Sequence, residues 1–260
     1  MMEILKLGGS VVTQKDRPKI PNMEAIERLA HEVASAGSRR LVVVHGGGSY
    51  GHPLAKEYDL VIGYSSPRQL LGFSLTHQAM VELNRLVVEA FFAEGIPAIS
   101  IAPSSFIVTE DRRIVEADFS VISKTIESGF IPVLYGDAVL DSARRFTILS
   151  GDQLAVRLAT DLGAKRIIFG VDVDGVYTAN PKLSKEARLV EELSLSQMRG
   201  MVRIGEALST DVTGGMLGKI QEAGAAVEVG VEVQLVNALK PGIIKEALRG
   251  EKVPCTWLRR

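Results

Sequence analysis

At 260 residues the chain has room for one large α/β domain or two lobes that share a sheet. Its 30 lysines and arginines nearly cancel 31 aspartates and glutamates, so overall charge gives no case for nucleic acid or an anionic membrane. The single cysteine, Cys255, excludes an intrachain disulfide and fits a reducing compartment. No secretory signal is expected, because Lys6 interrupts the only apolar start. No stretch approaches the roughly 20 apolar residues of a membrane span, and the expectation is a soluble, cytoplasmic protein.

Ile4-Leu5-Lys6-Leu7 reads as a short strand that ends in the glycine turn Gly8-Gly9-Ser10. Asn22 caps a helix running to about Ala36, which Gly37 stops. Leu41–Val44, four apolar residues in a row, predicts a strand buried on both faces. The sequence then changes abruptly to His45-Gly46-Gly47-Gly48-Ser49-Tyr50-Gly51-His52. Ser66-Pro67 reads as N-cap and first residue of a helix, or helix pair, reaching about Ala93; Ala98–Ile101 is the next strand. Phe106–Val108 and Ile114–Val115 flank Glu110-Asp111-Arg112-Arg113, a charged hairpin. A helix over Phe119–Ser128 and a strand over Ile131–Tyr135 follow. Ser150 caps a helix over Asp152–Leu162, and the strand Arg166–Val171 leads into Asp172-Val173-Asp174-Gly175-Val176-Tyr177. A helix from about Met216 to Val229, a strand Val233–Val236, a short helix near Ile244–Leu248 and a strand Cys255–Leu258 close the chain.

Strands alternating with helices of this length imply an α/β fold, a mostly parallel sheet with helices on both faces. Ligands in such sheets sit beyond the carboxyl ends of strands, so the glycine turns at Gly8, Gly46 and Gly136 should open on one edge. No linker composition interrupts the chain, and a division near residues 140–150 is expected to separate lobes of one domain.

The glycine loops are the strongest chemical signal. Without a Cβ the backbone can turn sharply, and successive N–H groups can converge on an anion. Gly46 to Gly51 formally matches the dinucleotide pattern G-x-G-x-x-G. The acid expected about 20 residues later to hold a ribose is missing, since no Asp or Glu lies between Asp59 and Glu82. His52-Pro53 is also a poor helix opening for that fingerprint. Gly214-Gly215-Met216-Leu217-Gly218-Lys219-Ile220 narrowly misses the P-loop pattern: Thr213 stands at the first glycine and Ile220 at the magnesium-binding hydroxyl. Glycines at a helix start with Lys219 one turn in still suit a phosphate, although a helix cap with a solvated lysine fits as well.

Lys6, inside an apolar strand, is harder to explain without an anion, because a buried ammonium with no partner is costly. Asp152 could be a dipole-favoured acid or the holder of two lysines. Asp172 and Asp174 could serve a metal, a ribose or simply the turn at Gly175. His31 and His77 fall on helices and read as surface or core histidines. Phe73, Leu75 and Met80 could line an apolar pocket or simply pack.

Taken together, Lys6 to Ser10, His45 to Gly48, Gly151-Asp152, Asp172 to Tyr177 and Thr213 to Lys219 resemble the amino-acid kinase family over nearly the whole chain. That resemblance implies a three-layer α/β/α sandwich with a mostly parallel central sheet. Residues 1–149 would form an acceptor lobe and 150–260 a nucleotide lobe. It also implies phosphoryl transfer from ATP with magnesium carried by the nucleotide. Gly48-Ser49-Tyr50-Gly51-His52, together with Lys15, is similar to the archaeal isopentenyl phosphate kinase branch. Isopentenyl phosphate is then the expected acceptor, with a fosfomycin-like, UMP-like or carboxylate acceptor as the alternative, and a homodimer is the expected assembly. The implied catalytic set is Lys6, Lys15, His52, Asp152 and Lys219. The implied nucleotide contacts are Lys6, Gly8, Gly9, Ser10, Gly48, Asp172, Tyr177, Gly215 and Lys219; the acceptor contacts are Gly47, Gly48, His52 and Gly151.

Overall fold

The computed structural model describes residues 2–14, 17–38, 40–179, 186–208 and 214–260, of which 202–208 and 214 are described by backbone alone. Lys15 and Thr213 lie outside the described residues. The first half of the chain runs β1 (Glu3–Leu7), α1 (Gly9–Val12), α2 (Met23–Ala36), β2 (Leu41–His45), α3 (Gly48–Glu57), α4 (Arg68–Ala93) and β3 (Ala98–Ser100). It continues through β4 (Ile107–Glu110), β5 (Arg113–Ala117), α5 (Ser120–Glu127), β6 (Ile131–Tyr135), β7 (Asp137–Asp141) and β8 (Arg145–Leu149). The second half is α6 (Gly151–Asp161), β9 (Arg166–Val171), β10 (Glu192–Ser194), α7 (Leu195–Leu208), α8 (Gly214–Glu228), β11 (Glu232–Asn237), α9 (Ile243–Leu248) and β12 (Cys255–Arg259).

Eight strands form one sheet in the order β10-β12-β11-β9-β1-β2-β6-β3. Strand β1 lies at its middle, parallel to β2 on one side and β9 on the other. Only β12, antiparallel to β11, and its parallel neighbour β10 run against the rest. Period-two alternation sends Ile4, Val42, Val44, Ile167 and Phe169 into one core with α6 and α8. Leu5, Leu7, Leu41, Val43 and Ile168 go into the other, with α2, α4 and α9. Three layers result, as expected from the sequence.

The helix stops fall where the residues demand. Asn22 accepts from the N–H of Ala25 at 3.4 Å, and Gly37 ends α2 in the left-handed conformation (φ 70°). The start of α4 differs from expectation. Pro67 is itself the cap residue and Ser66 caps nothing. Instead the buried Gln69 turns its Oε1 back to accept from the N–H of Ser65 (2.6 Å) and Ser66 (3.0 Å). Its Nε2 donates to the carbonyls of Asp59 and Gly63. A buried amide must satisfy both ends, and doing so displaces the serine cap.

The charged hairpin is present, with Asp111 (φ 45°) and Arg112 (φ 72°) as its two-residue turn. It belongs to a separate four-stranded sheet, β5-β4-β7-β8, that the sequence did not reveal. That sheet leaves the main one at Gly136, between β6 and β7, where a side chain would press on Gly151 N and Leu149 O at 3.1 Å.

Candidate active site

Two glycine loops leave the carboxyl ends of adjacent strands and touch backbone to backbone. A Cβ on Gly9 would lie 2.4 Å from Gly48 N, and one on Gly46 would lie 2.7 Å from Gly9 N. Thr13, which sequence reasoning overlooked, ties the loops together. Its Oγ1 donates to the Gly9 carbonyl at 2.7 Å and accepts from Ser49 N at 3.0 Å. Gly48 sits at φ 44°, with Thr13 Oγ1 only 2.1 Å from where a Cβ would stand. Gly48→Ala should therefore lose roughly 2–4 kcal/mol of stability, strain and overpacking combined. Urea unfolding measures this, and an unchanged midpoint would contradict the close approach.

Helix α3 begins directly in the second loop, contrary to the expectation that His52-Pro53 opens a helix poorly. Pro53 lies inside α3. A proline there leaves the Ser49 carbonyl without its helical donor. Lys19 N supplies the missing hydrogen bond at 3.0 Å. His52 consequently rides on the first turns of a helix whose N-terminal N–H groups and dipole favour an anion.

Beneath the loops lie two buried ammonium groups and a partly buried carboxylate. Lys6 comes from β1, Asp152 from the first turn of α6 and Lys219 from α8. Lys6 Nζ meets Asp152 Oδ1 at 2.6 Å, and Lys219 Nζ meets Oδ2 at 2.7 Å. The two lysines are only 5% and 7% exposed. Ser150 caps α6 by accepting from Asp152 N at 3.1 Å. Gly151 leaves room for the Lys6 stem, whose Cε would lie 3.4 Å from a Cβ there. Lys219 Nζ also stands 5.2 Å from the centroid of the Phe169 ring.

Two cations on one anion leave an excess positive charge in a desolvated site, and Asp152, Lys219 and His52 titrate away from their ordinary values. Burial alone would raise the Asp152 carboxyl; Lys6 and Lys219 overcome it and hold the group at about 2. Burial, then the neighbouring charge of Lys6, brings Lys219 down to about 8, with Asp152 resisting. His52 is lowered by desolvation first and by Lys6 second, against Asp152.

Further along the sheet edge, Asp174 Oδ2 accepts from Tyr177 Oη at 3.0 Å, and Oδ1 accepts from Asn237 Nδ2 at 3.1 Å. Lys240 pairs with the same carboxylate at 2.6 Å. Asp174 is thus more than a turn residue, and Asn237 and Lys240 carried no motif that could have announced them. His77, read as a surface or core histidine, pairs with the buried Asp137 at 3.0 Å, and this hydrogen bond chiefly raises its pKa. His31 is exposed and faces Glu94.

The two glycine loops, Thr13, the three charged side chains, Asp137 and Tyr177 border one cleft of about 1210 Å³. The cleft brings together Lys6, Gly8, Gly9, Ser10, Gly47, Gly48, His52, Gly151, Asp152, Asp172, Tyr177, Gly215 and Lys219. Lys15 lies outside the described residues. Of the three apolar candidates, Met80 borders the cleft, with Val61 and Ile148. Phe73 packs on Phe146, with ring centroids 5.6 Å apart, and Leu75 faces solvent.

Residues 1–237 match the model of the amino acid kinase family. The chain belongs to the amino acid kinase family. Among its relatives is an isopentenyl phosphate kinase from Methanothermobacter thermautotrophicus, 46% identical over 97% of each chain. Another, from Arabidopsis thaliana, is 37% identical over 84% of this chain and 71% of its own. An X-ray structure of isopentenyl phosphate kinase superposes with a TM-score of 0.87 at 42% identity, covering 99% of this chain and 100% of its own. The amino-acid kinase sandwich expected from the motifs is thus the fold of this chain.

Proposed function

We propose that the chain transfers the γ-phosphoryl group of ATP to isopentenyl phosphate, giving ADP and isopentenyl diphosphate. The observation that carries this reading is the Lys6–Asp152–Lys219 cluster under the two glycine loops, in a chain similar to isopentenyl phosphate kinases throughout its length. Phosphoryl transfer asks a protein for in-line placement and for cations where negative charge builds, with little covalent chemistry. Lys6 and Lys219 supply those cations, and their excess charge over Asp152 is a demand for phosphate. Asp152 keeps both ammonium groups converged on one point. Lys15 is a further stabilising cation.

Gly8, Gly9, Ser10 and Gly48 offer backbone to the nucleotide phosphates. Asp172, Tyr177 and Gly215 line the remainder of the nucleotide in this reading, in the proposed nucleotide lobe of residues 150–260. Gly47, Gly48 and His52, on the side formed by residues 1–149, hold the acceptor phosphate together with Gly151 at the start of α6. Each oxygen of Asp152 is engaged by an ammonium, so its donor set suits magnesium that stays on the nucleotide. The metal supplies neutralisation of the β- and γ-phosphate oxygens. No general base is required, because the acceptor oxygen is already anionic near neutral pH.

Leu70 and Leu71 at the start of α4 and Phe92 at its end are each more than half exposed, which supports a two-fold dimer through the acceptor lobe. Among the described residues no helix is long and apolar enough to cross a membrane, and the proposed place of work is the cytoplasm.

A coupled assay of ADP release over a panel of acceptors tests the reading. Turnover with isopentenyl phosphate well above UMP, fosfomycin and glutamate is expected; a preference for any of those three would replace it. The depressed Lys219 gives a second expectation. Its ammonium is present below about pH 8 and lost above it, so kcat/KM for ATP should fall with unit slope as pH rises through that value. A flat profile to pH 9.5 would contradict the role of Lys219.

A further inference from the structure

His45 takes no part in the roles assigned so far, yet it stands directly under the acceptor loop. It is the last residue of β2, fully buried, and alternation places its ring on the face shared by Leu41 and Val43. Lys6, in register with Val44, shares the opposite face with Ile4. The ring stacks on Tyr135 with centroids 5.5 Å apart and planes 28° apart. Its Nδ1 lies 3.1 Å from the Gly46 carbonyl oxygen, and its Nε2 lies 3.1 Å from Asn84 Nδ2 on α4. A carbonyl can only accept, so Nδ1 carries the hydrogen. In a neutral ring Nε2 then accepts, which matches the amide donor from Asn84. Burial, and the charge of Lys6 beyond it, keep the ring neutral, with a pKa near 4 despite the Gly46 hydrogen bond.

A peptide unit is planar and trans, so its C=O and N–H point in opposite directions. With the Gly46 carbonyl drawn down onto the α4 face by His45, the Gly47 N–H points to the face of Lys6, and Gly47 borders the cleft. Among the described residues no acceptor meets that N–H. We propose that His45 is a positioning residue: held in one tautomer by Asn84, it fixes the Gly46–Gly47 peptide so that the Gly47 N–H is aimed at the acceptor phosphate. The inference rests on the placement of that phosphate beside Gly47.

Two substitutions separate positioning from packing. The amide nitrogen of His45→Asn falls near the place of Nδ1, whereas that of His45→Gln falls near Nε2. Steady-state kinetics with ATP and isopentenyl phosphate, with melting curves alongside, are the measurement. His45→Gln should raise the acceptor KM about tenfold or more, the loss expected of a hydrogen bond to a charged group. His45→Asn should restore most of that loss, and the ATP KM should stay put in both. Equal acceptor KM values for the two variants, or an ATP KM rising in step, would overturn the proposal. If neither variant folds, Asn84→Leu decides: freeing Nε2 should raise the acceptor KM alone, and an unchanged value refutes the lock. A wild-type chain that releases no ADP with isopentenyl phosphate defeats the functional reading itself, and this inference with it.

Discussion

Lys219→Met is expected to lower kcat by about 10²–10³-fold, the usual loss when one preorganised donor to a transition state is removed. Its melting temperature should be unchanged or higher. Lys6 and Lys219 repel one another across a single carboxylate, and removing either leaves a balanced pair. Lys6→Met should behave alike. Asp152→Asn is the contrasting case: it loses comparable activity but also strips two buried ammonium groups of the carboxylate they share. Breaking a buried pair in this way costs about 3–5 kcal/mol, so this variant alone of the three should melt much earlier. Kinetics and calorimetry on the three variants test the scheme. Full activity in either lysine variant would remove the phosphoryl-transfer assignment, and a stable Asp152→Asn would contradict the charge argument.

His52→Ala should reduce kcat/KM for isopentenyl phosphate by roughly ten- to hundredfold, since a hydrogen bond to a charged group is worth about 1.5–3 kcal/mol. The ATP KM should move little, because Asp172, Tyr177 and Gly215, assigned above to the nucleotide, come from other segments of the cleft wall. His52→Gln keeps a donor and should keep part of the activity. The ring donates whether neutral or charged, so its lowered pKa does not remove the contact. If His52 only shapes the turn above Pro53, ATP and acceptor parameters will fall together. A wild-type kcat/KM for the acceptor would remove the assignment.

What the sequence revealed and concealed follows from the range of each interaction. Lys6 was legible because a lysine inside Leu5 and Leu7 conflicts with its local pattern, and such conflicts mark sites. Asp152 and Lys219 lie far apart in the chain, and only the family motifs related them. The turn at Asp111 and Arg112 could be read locally, but its pairing into a second sheet could not. That sheet depends on a corner at Gly136 and on contacts between distant strands. Helix α3 was missed because proline usually breaks a helix; here the orphaned Ser49 carbonyl finds Lys19, thirty residues away in the sequence. Thr13, Asn84 and Asn237 act through single hydrogen bonds across the fold, which no local pattern encodes.

The central claim is that a phosphate oxygen of isopentenyl phosphate takes the γ-phosphoryl group of ATP. Phosphorus-31 NMR of the purified chain with ATP, magnesium and isopentenyl phosphate follows both partners at once. The monophosphate resonance should decay as two coupled diphosphate doublets and those of ADP grow in equal amounts. Release of inorganic phosphate with the monophosphate signal intact, or no change over hours at micromolar enzyme, would contradict it.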